Sequence, residues 1–491
     1  MTYYILIAAV LLLAGIFSSK ISERFGIPAL VLFLGIGMLA GSDGPGGIYF
    51  NNADLAKFVG TIALIYILFS GAMETDFKSI RPIMGRGIVL ATIGVFLTAA
   101  LTAAFTCIAL GFSIEEGMMI GAIVSSTDAA AVFAILRSKN MGLTGHLRPL
   151  LELESGSNDP MAIFLTVALI SFFGQSHSTI PDMLWQFVVS MSVGAASGIV
   201  LGKLAVRVLN KVGLDYEGLY PVLSLAIGLL VYSFTEAIKG NGYVAIYLCG
   251  IIMGNSDFPY KRSLIRFHNG LAWLMQITMF VILGLLVFPS QLPSVTYYGL
   301  AISAFMIIIA RPATIYLCMI KSHFSFREKT LIAWAGLRGA VPIVLATFPL
   351  MAGYKGSDRI FNIVFFIVLT SVMLQGKMLL PVAKWLKVHR NLDSRPRYPL
   401  EFDKTDGTDN QTREYEIMPG TAAVGKTISQ LQLPKNALIL LIRRENTFVV
   451  PKGNTKLEPF DTLMVMGKAG DLATTWETIR TPAPDDRLEH N

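Results

Sequence analysis

Apolar runs of roughly 18 to 25 residues alternate with short polar turns along most of this chain, the length a helix needs to cross a hydrocarbon core. They centre near residues 3–20, 27–41, 58–73, 87–111, 117–136, 150–173, 184–206, 218–238, 243–255, 268–288, 298–320, 330–350 and 360–386, which predicts about thirteen spans. The second, third and ninth runs are short for a full crossing and carry glycine. The turns sort by charge. One alternate set holds Lys20 and Arg24; Lys78, Arg81 and Arg86; Arg137, Lys139 and Arg148; Lys203, Arg207 and Lys211; Lys261, Arg262 and Arg266; and Lys321, Arg327 and Lys329. The other set holds Asp43, Asp54, Glu115 and Glu116 with few bases beyond Lys57, Lys239, Lys355 and Arg359. Basic loops stay cytoplasmic, so the N-terminus is expected outside and the C-terminus inside, which requires an odd number of spans.

Composition agrees with a polytopic membrane protein: of 491 residues, 53% are hydrophobic and 15% charged, with a mean hydropathy of +0.59. The first apolar run lacks a basic start and a small-residue cleavage site, so it is expected to stay as a helix. The formal charge of +7 is accounted for by the cytoplasmic loops and calls for no nucleic-acid partner. Cys107, Cys249 and Cys318 lie in apolar runs without metal-ligand spacing and read as packing residues.

After Lys387 the character changes to a polar linker over 388–411, followed by a small α+β unit over 412–482 and a tail over 483–491. Strands are expected at 415–418, 437–443, 447–450 and 462–466, with a short helix near 426–431 and another from Asp471. Gly420-Thr421-Ala422-Ala423-Val424-Gly425-Lys426-Thr427 satisfies the phosphate-loop pattern. The unit is too small for the parallel sheet that carries such loops, and no later strand ends in an Asp placed for magnesium, so it reads as a turn and an ordinary helix start.

Polar residues at bilayer depth carry the chemistry. The sixth run contains Glu154-Ser155-Gly156-Ser157-Asn158-Asp159-Pro160, two carboxylates where an ionised side chain costs several kcal/mol. A carboxylate there is by default a cation ligand or proton carrier. Ser125-Ser126-Thr127-Asp128 in the fifth run weakens its helix by competing for backbone hydrogen bonds, and an interrupted helix frees carbonyls and half-helix dipoles for an ion. Small-residue packing explains the neighbouring alanines but not Asp128. Glu74 closes the third run as a further cation ligand or as a plain helix end. Arg338, within Gly336-Leu337-Arg338-Gly339-Ala340-Val341-Pro342, is the expected partner of Glu154, which leaves Asp159 free to bind and release ions. Arg311 is a second buried base with no evident partner, and Glu236 reads as the end of the eighth run.

These segments together resemble the bacterial monovalent cation/proton antiporters of the NhaP-like branch, over residues 1 to about 386. The resemblance implies an all-α bundle of about thirteen helices with inverted repeats, two unwound crossing helices and a homodimer, in the bacterial inner membrane. It implies Asp159 as the carboxylate that alternates between proton and cation, with Ser155, Thr127, Asp128 and Glu74 binding or supporting the cation, and Glu154 with Arg338 as a structural ion pair. Asn158 stands where electrogenic relatives carry a second Asp, which implies one-for-one, electroneutral exchange. The unit over 412–482 resembles the TrkA-C type ligand-binding half of potassium-conductance regulators, which favours K+/H+ over Na+/H+ exchange and a small-molecule regulator such as a nucleotide. No resident cofactor is implied. A gated potassium channel is the rival from another class, but no Thr-Val-Gly-Tyr-Gly-like filter is present.

Overall fold

The computed structural model describes residues 2–25, 28–137, 139, 141–174, 179–391, 411–418, 421–444 and 447–481. The chain divides into two compact units, Met1–Asp393 and Ser394–Asn491.

The first unit is helical because a bilayer offers no partner for backbone N–H and C=O groups, so each segment must satisfy its own. Its helices are α1 (Thr2–Phe25), α2 (Ala29–Ala40), α3 (Ala53–Glu74), α4 (Phe77–Leu110), α5 (Ile114–Ile123), α6 (Ala129–Arg137), α7 (Leu147–Phe173) and α8 (Ile180–Lys211). They continue with α9 (Leu219–Ala237), α10 (Gly242–Gly254), α11 (Lys261–Leu285), α12 (Pro289–Cys318), α13 (Phe326–Trp334), α14 (Ala340–Met351) and α15 (Ser357–Trp385). Among the described residues, eight of these are long and apolar enough to cross a membrane, and four shorter apolar helices accompany them. Capping boxes set three starts, Ser113 with Glu116, Thr179 with Asp182, and Ser325 with Glu328, each where a polar turn meets an apolar run.

The third predicted span, short in the sequence, is a 22-residue helix because Asn52 caps it well before its apolar stretch begins. The second and ninth stay short. The fifth and twelfth are broken in the middle, α5 from α6 over Val124–Asp128 and α13 from α14 over Ala335–Gly339. The helix before each break carries a π-turn, Leu90–Gly94 in α4 and Met306–Ala310 in α12.

A short antiparallel ribbon joins β1 (Met141–Leu143) to β2 (His389–Asn391). The sequence reads 388–391 as the start of a linker, yet these residues pack on the first unit.

The second unit holds a four-stranded antiparallel sheet in the order β3-β6-β4-β5, where β3 is Gln411–Glu416, β4 Leu438–Arg444, β5 Thr447–Val449 and β6 Thr462–Gly467. Helix α16 (Ala469–Arg480) contributes Leu472 and Ile479 to a core with Tyr415, Ile442, Leu463 and Val465. The side chain of Asp461 is fully buried and takes a two-pronged contact from Arg444, at 3.0 Å from Nε and 2.9 Å from Nη2. The helix expected near 426–431 is a single 3-10 turn at Ile428–Leu431, whose first donor is consumed by its own Thr427–Gln430 box. No helix N-terminus of useful length follows Lys426, which removes the main anion-holding element of a phosphate loop. Gly420 lies outside the described residues.

Helices α2 and α11 meet backbone to backbone. A Cβ on Gly37 would fall well inside contact with the Val281 carbonyl oxygen, and one on Gly284 would meet the Leu34 carbonyl oxygen. Gly284→Ala should therefore force these helices apart at a cost of about 1–3 kcal/mol, seen as a lower melting temperature in detergent, whereas Gly270→Ala, with open space at its Cβ, should leave it unchanged.

Candidate functional site

The site forms where the two helix breaks touch. Ser125 turns its hydroxyl onto the Ala122 carbonyl at 2.6 Å, diverting an acceptor that the helix would use. Asp128 then restarts the chain as α6: its Oδ1 accepts the Ala131 amide at 3.0 Å, the contact of an N-cap side chain with the third helical residue. The Asp128 amide donates to the Leu337 carbonyl of the other break at 2.8 Å. Arg338, 3% exposed, donates Nη1 to the Ser125 and Ser126 carbonyls at 2.8 and 2.5 Å. Each break satisfies the other.

Two further helices brace the crossing. From α7, Ser155 Oγ donates to the Thr127 carbonyl at 2.9 Å and accepts the Ala129 amide at 3.0 Å. Asn158 Nδ2 donates to Thr127 Oγ1 at 2.5 Å. From α15, Ser371 Oγ accepts the Arg338 amide at 3.0 Å, and Gln375 Nε2 donates to the Trp334 carbonyl at 2.9 Å. Neither Ser371 nor Gln375 was singled out from sequence, because a Ser and a Gln four apart on an apolar helix read as incidental polar residues.

The expected Glu154–Arg338 pair is not formed. Glu154 pairs with Arg311, Nη2 to Oε1 at 2.5 Å, with both side chains 3% exposed or less. The motif around Arg338 explains why. A Cβ on Gly336 would lie 2.7 Å from Arg311 Nε, so this glycine admits the Arg311 side chain, and Gly339 likewise admits Asp128. Arg338, held between them, finds the two carbonyls of the opposite break first.

Asp159, 7% exposed, has an Oδ1 that accepts no hydrogen bond from the protein, and Ser126 Oγ is likewise without a protein partner. Both line a cavity of about 40 Å³ with Thr127, Asp128 and Gln276, walled by Leu64, Leu68 and Phe280. That volume admits a monovalent cation with a water or two and no organic substrate. Carboxylate and hydroxyl side chains lining one small space form a site for a hard cation or a proton. Ser126 and Gln276 were missed from sequence, although Ser126 stands inside the Ser-Ser-Thr-Asp run.

The structure brings together Thr127, Asp128, Ser155, Asn158 and Asp159. It does not bring in Glu74. That residue ends α3, exposed, with its carboxylate accepting Asn269 Nδ2 at 2.5 Å, about two helical turns along α3 from the cavity-lining Ile67. Glu236 closes α9 and accepts the Gly242 amide at 2.8 Å.

Residues 8–385 match the family model for the sodium/hydrogen exchanger, transmembrane, and residues 412–479 match that for the TrkA-C domain. The chain is 38% identical over 469 residues to the K(+)/H(+) antiporter NhaP of Alkalimonas amylolytica, covering 95% of this chain and 82% of that protein. It is also 38% identical to the K(+)/H(+) antiporter NhaP2 of Shewanella sp. (strain MR-4), covering 96% and 82%. Among solved structures, the sodium proton antiporter MjNhaP1 from Methanocaldococcus jannaschii at pH 8 superposes with a TM-score of 0.65 at 26% identity, covering 76% of this chain and 99% of that one.

A double-mutant cycle separates the two arginines. Glu154→Gln should lower stability by about 3–5 kcal/mol because it strands a buried guanidinium. Its coupling with Arg311→Met should lie at about 0.5–3 kcal/mol, and with Arg338→Met near zero; thermal melts of the purified variants supply the comparison.

Proposed function

The chain belongs to the sodium/hydrogen exchanger family, and from its site we infer an electroneutral antiporter that exchanges K+ for H+ by alternating access at Asp159. The observation that carries this reading is the buried Asp159 carboxylate, which shares a cation-sized cavity with Asp128 and has an oxygen that no protein group binds. The carboxylate crosses with either a proton or a cation, because a bare charge moved through an apolar core costs too much. Exchange follows from that prohibition. Asn158 beside it adds no charge and Asp128 is engaged as the cap of α6, so in this reading one proton answers one cation at Asp159. The names of the curated relatives support potassium as the cation, and the TrkA-C match supports control from the cytoplasm. Sodium is the second reading, favoured by the description of the solved relative as a sodium proton antiporter.

Taking each broken pair as one crossing, α1 to α15 make thirteen spans. The breaks fall in the fifth and twelfth and the π-turns in the fourth and eleventh, each pair seven spans apart. An odd separation turns the second copy upside down, which supports an inverted repeat. With the basic loops inside, the N-terminus lies outside and the second unit in the cytoplasm of a bacterial cell, the protein working in the inner membrane as the homodimer its family resemblance implies. Thr127, Ser155 and Asp128 hold the crossing in shape around the cation, and the TrkA-C unit binds a small-molecule regulator.

Asp159→Asn should abolish cation/proton exchange in proteoliposomes while the protein stays folded, since an amide neither titrates nor balances a cation. Retained exchange with either K+ or Na+ would remove Asp159 from its role.

In the unaltered protein, proton and cation compete for one carboxylate. Apparent cation affinity should weaken as pH falls, and exchange of one cation species should not respond to an imposed membrane potential. A rate that rises with potential would make the stoichiometry unequal.

A further inference from the structure

The ribbon strand β1 lies between the two helices that carry the ion site. Helix α6 ends at Arg137, just before Met141, and α7 begins at Leu147, just after Leu143. At its other end α6 starts beside Asp128, so nine helical residues, about 13 Å of rigid rod, separate the ribbon from the cavity. In β1–β2, Met141 lies opposite Asn391, Gly142 opposite Arg390 and Leu143 opposite His389. Thr144 extends the pairing, its amide and hydroxyl both donating to the Val388 carbonyl at 3.0 and 3.2 Å. Met141, Leu143 and Val388 are buried in the core of the first unit, so the ribbon is anchored and does not hang free.

The direction of β2 is set by the end of α15. Lys387 adopts a φ of +58°, and the Val388 amide reaches back to the Ala383 carbonyl at 3.2 Å. That six-to-one closure turns the chain sharply off the helix and onto β1. A lysine in a left-handed conformation is disfavoured relative to glycine, so the turn is held by the pairing on either side of it. Beyond Asn391 the chain leads to the second unit, so force carried along the chain from that unit arrives at β2.

We propose that the β1–β2 ribbon transmits the state of the TrkA-C unit to the ion site, by holding or releasing α6 and with it Asp128 and the Ser125–Thr127 carbonyls. Strand pairing has discrete registers, paired or slipped, which makes the ribbon a two-state element between linker and site. A regulator bound to the second unit can shift that element only by its differential affinity for the two states. The proposal rests on the reading that the TrkA-C unit regulates exchange.

The test uses proteoliposomes and K+/H+ exchange rates across a pH series. The difference between the full chain and a chain ending at Asn391 measures the effect of the second unit. In a background with Cys107, Cys249 and Cys318 replaced by alanine, Gly142→Cys with Arg390→Cys places two thiols directly across the ribbon, a geometry a disulfide can close. Oxidation should shrink the effect of the second unit by about fivefold or more, and reduction should restore it in the same sample. Thr144→Val, which keeps the shape and drops the hydroxyl contact to Val388, should weaken that effect without new cysteines, and Thr144→Ser should recover it. An effect of equal size in the oxidised and reduced protein and in Thr144→Val overturns the ribbon's role while leaving regulation in place. Identical pH profiles for the full chain and the chain ending at Asn391 overturn regulation itself, and the ribbon's role with it.

Discussion

Breaking a helix at bilayer depth frees backbone groups that cost several kcal/mol each if left alone. Two breaks in one molecule would double that cost. This structure lets them cancel: the Asp128 amide meets the Leu337 carbonyl, and the Arg338 guanidinium covers the Ser125 and Ser126 carbonyls. The rest of the core serves this crossing. Ser155 and Asn158 brace it from α7, Ser371 and Gln375 from α15, Gly339 lets the second break approach Asp128, and Gly336 makes room for Arg311.

Charge is placed by the same logic. Glu154 and Asp159 stand five residues apart on α7 and so face different sides. One side is neutralised permanently by Arg311 at 2.5 Å. The other meets no base among the described residues, and Asp159 lines the cavity. In the proposed exchange, a permanent basic partner for Asp159 would favour its ionised form and oppose proton carriage. Holding Arg338 on backbone carbonyls therefore supports the crossing and leaves Asp159 without a guanidinium partner, as the proposed exchange requires.

Much of this was legible in the sequence because it is written locally. Ser-Ser-Thr-Asp within an apolar run announces a break, and a Pro-terminated pair of carboxylates announces a site, whereas Gly-Leu-Arg-Gly read only as the setting of a buried base. What could not be read was long-range choice. Arg311 lies 157 positions from Glu154, and nothing near either residue says which of two arginines will arrive. The deciding facts are the open side of Gly336, which admits Arg311, and the two carbonyls that capture Arg338. Glu74 misled for the related reason that a carboxylate at the end of a span looks alike whether it points into the bundle or out of it. The residues after Lys387 looked like the start of a linker because the stretch they open is polar, yet three of them pair with β1; a strand of three residues has no periodicity to detect.

The size of the cavity bears on how transport is driven. About 40 Å³ leaves no room for a nucleotide, and the phosphate-loop pattern in the second unit opens only a single 3-10 turn whose first amide donor is already engaged. Energy must come from a gradient. A selective channel strips its ion by offering several carbonyl rings in series, so that one ion displaces the next. Here the Ser125, Ser126 and Leu337 carbonyls are committed across the breaks, and the polar side chains that line the cavity are carboxylates, hydroxyls and one amide rather than rings of carbonyls. A single site of that kind can exchange its occupant but cannot relay a queue, and an occupant that balances the carboxylate is the condition for crossing. On the proposed reading, coupling of cation to proton follows from a carboxylate without a permanent cationic partner, set beside carbonyls that are spent on holding the broken helices together.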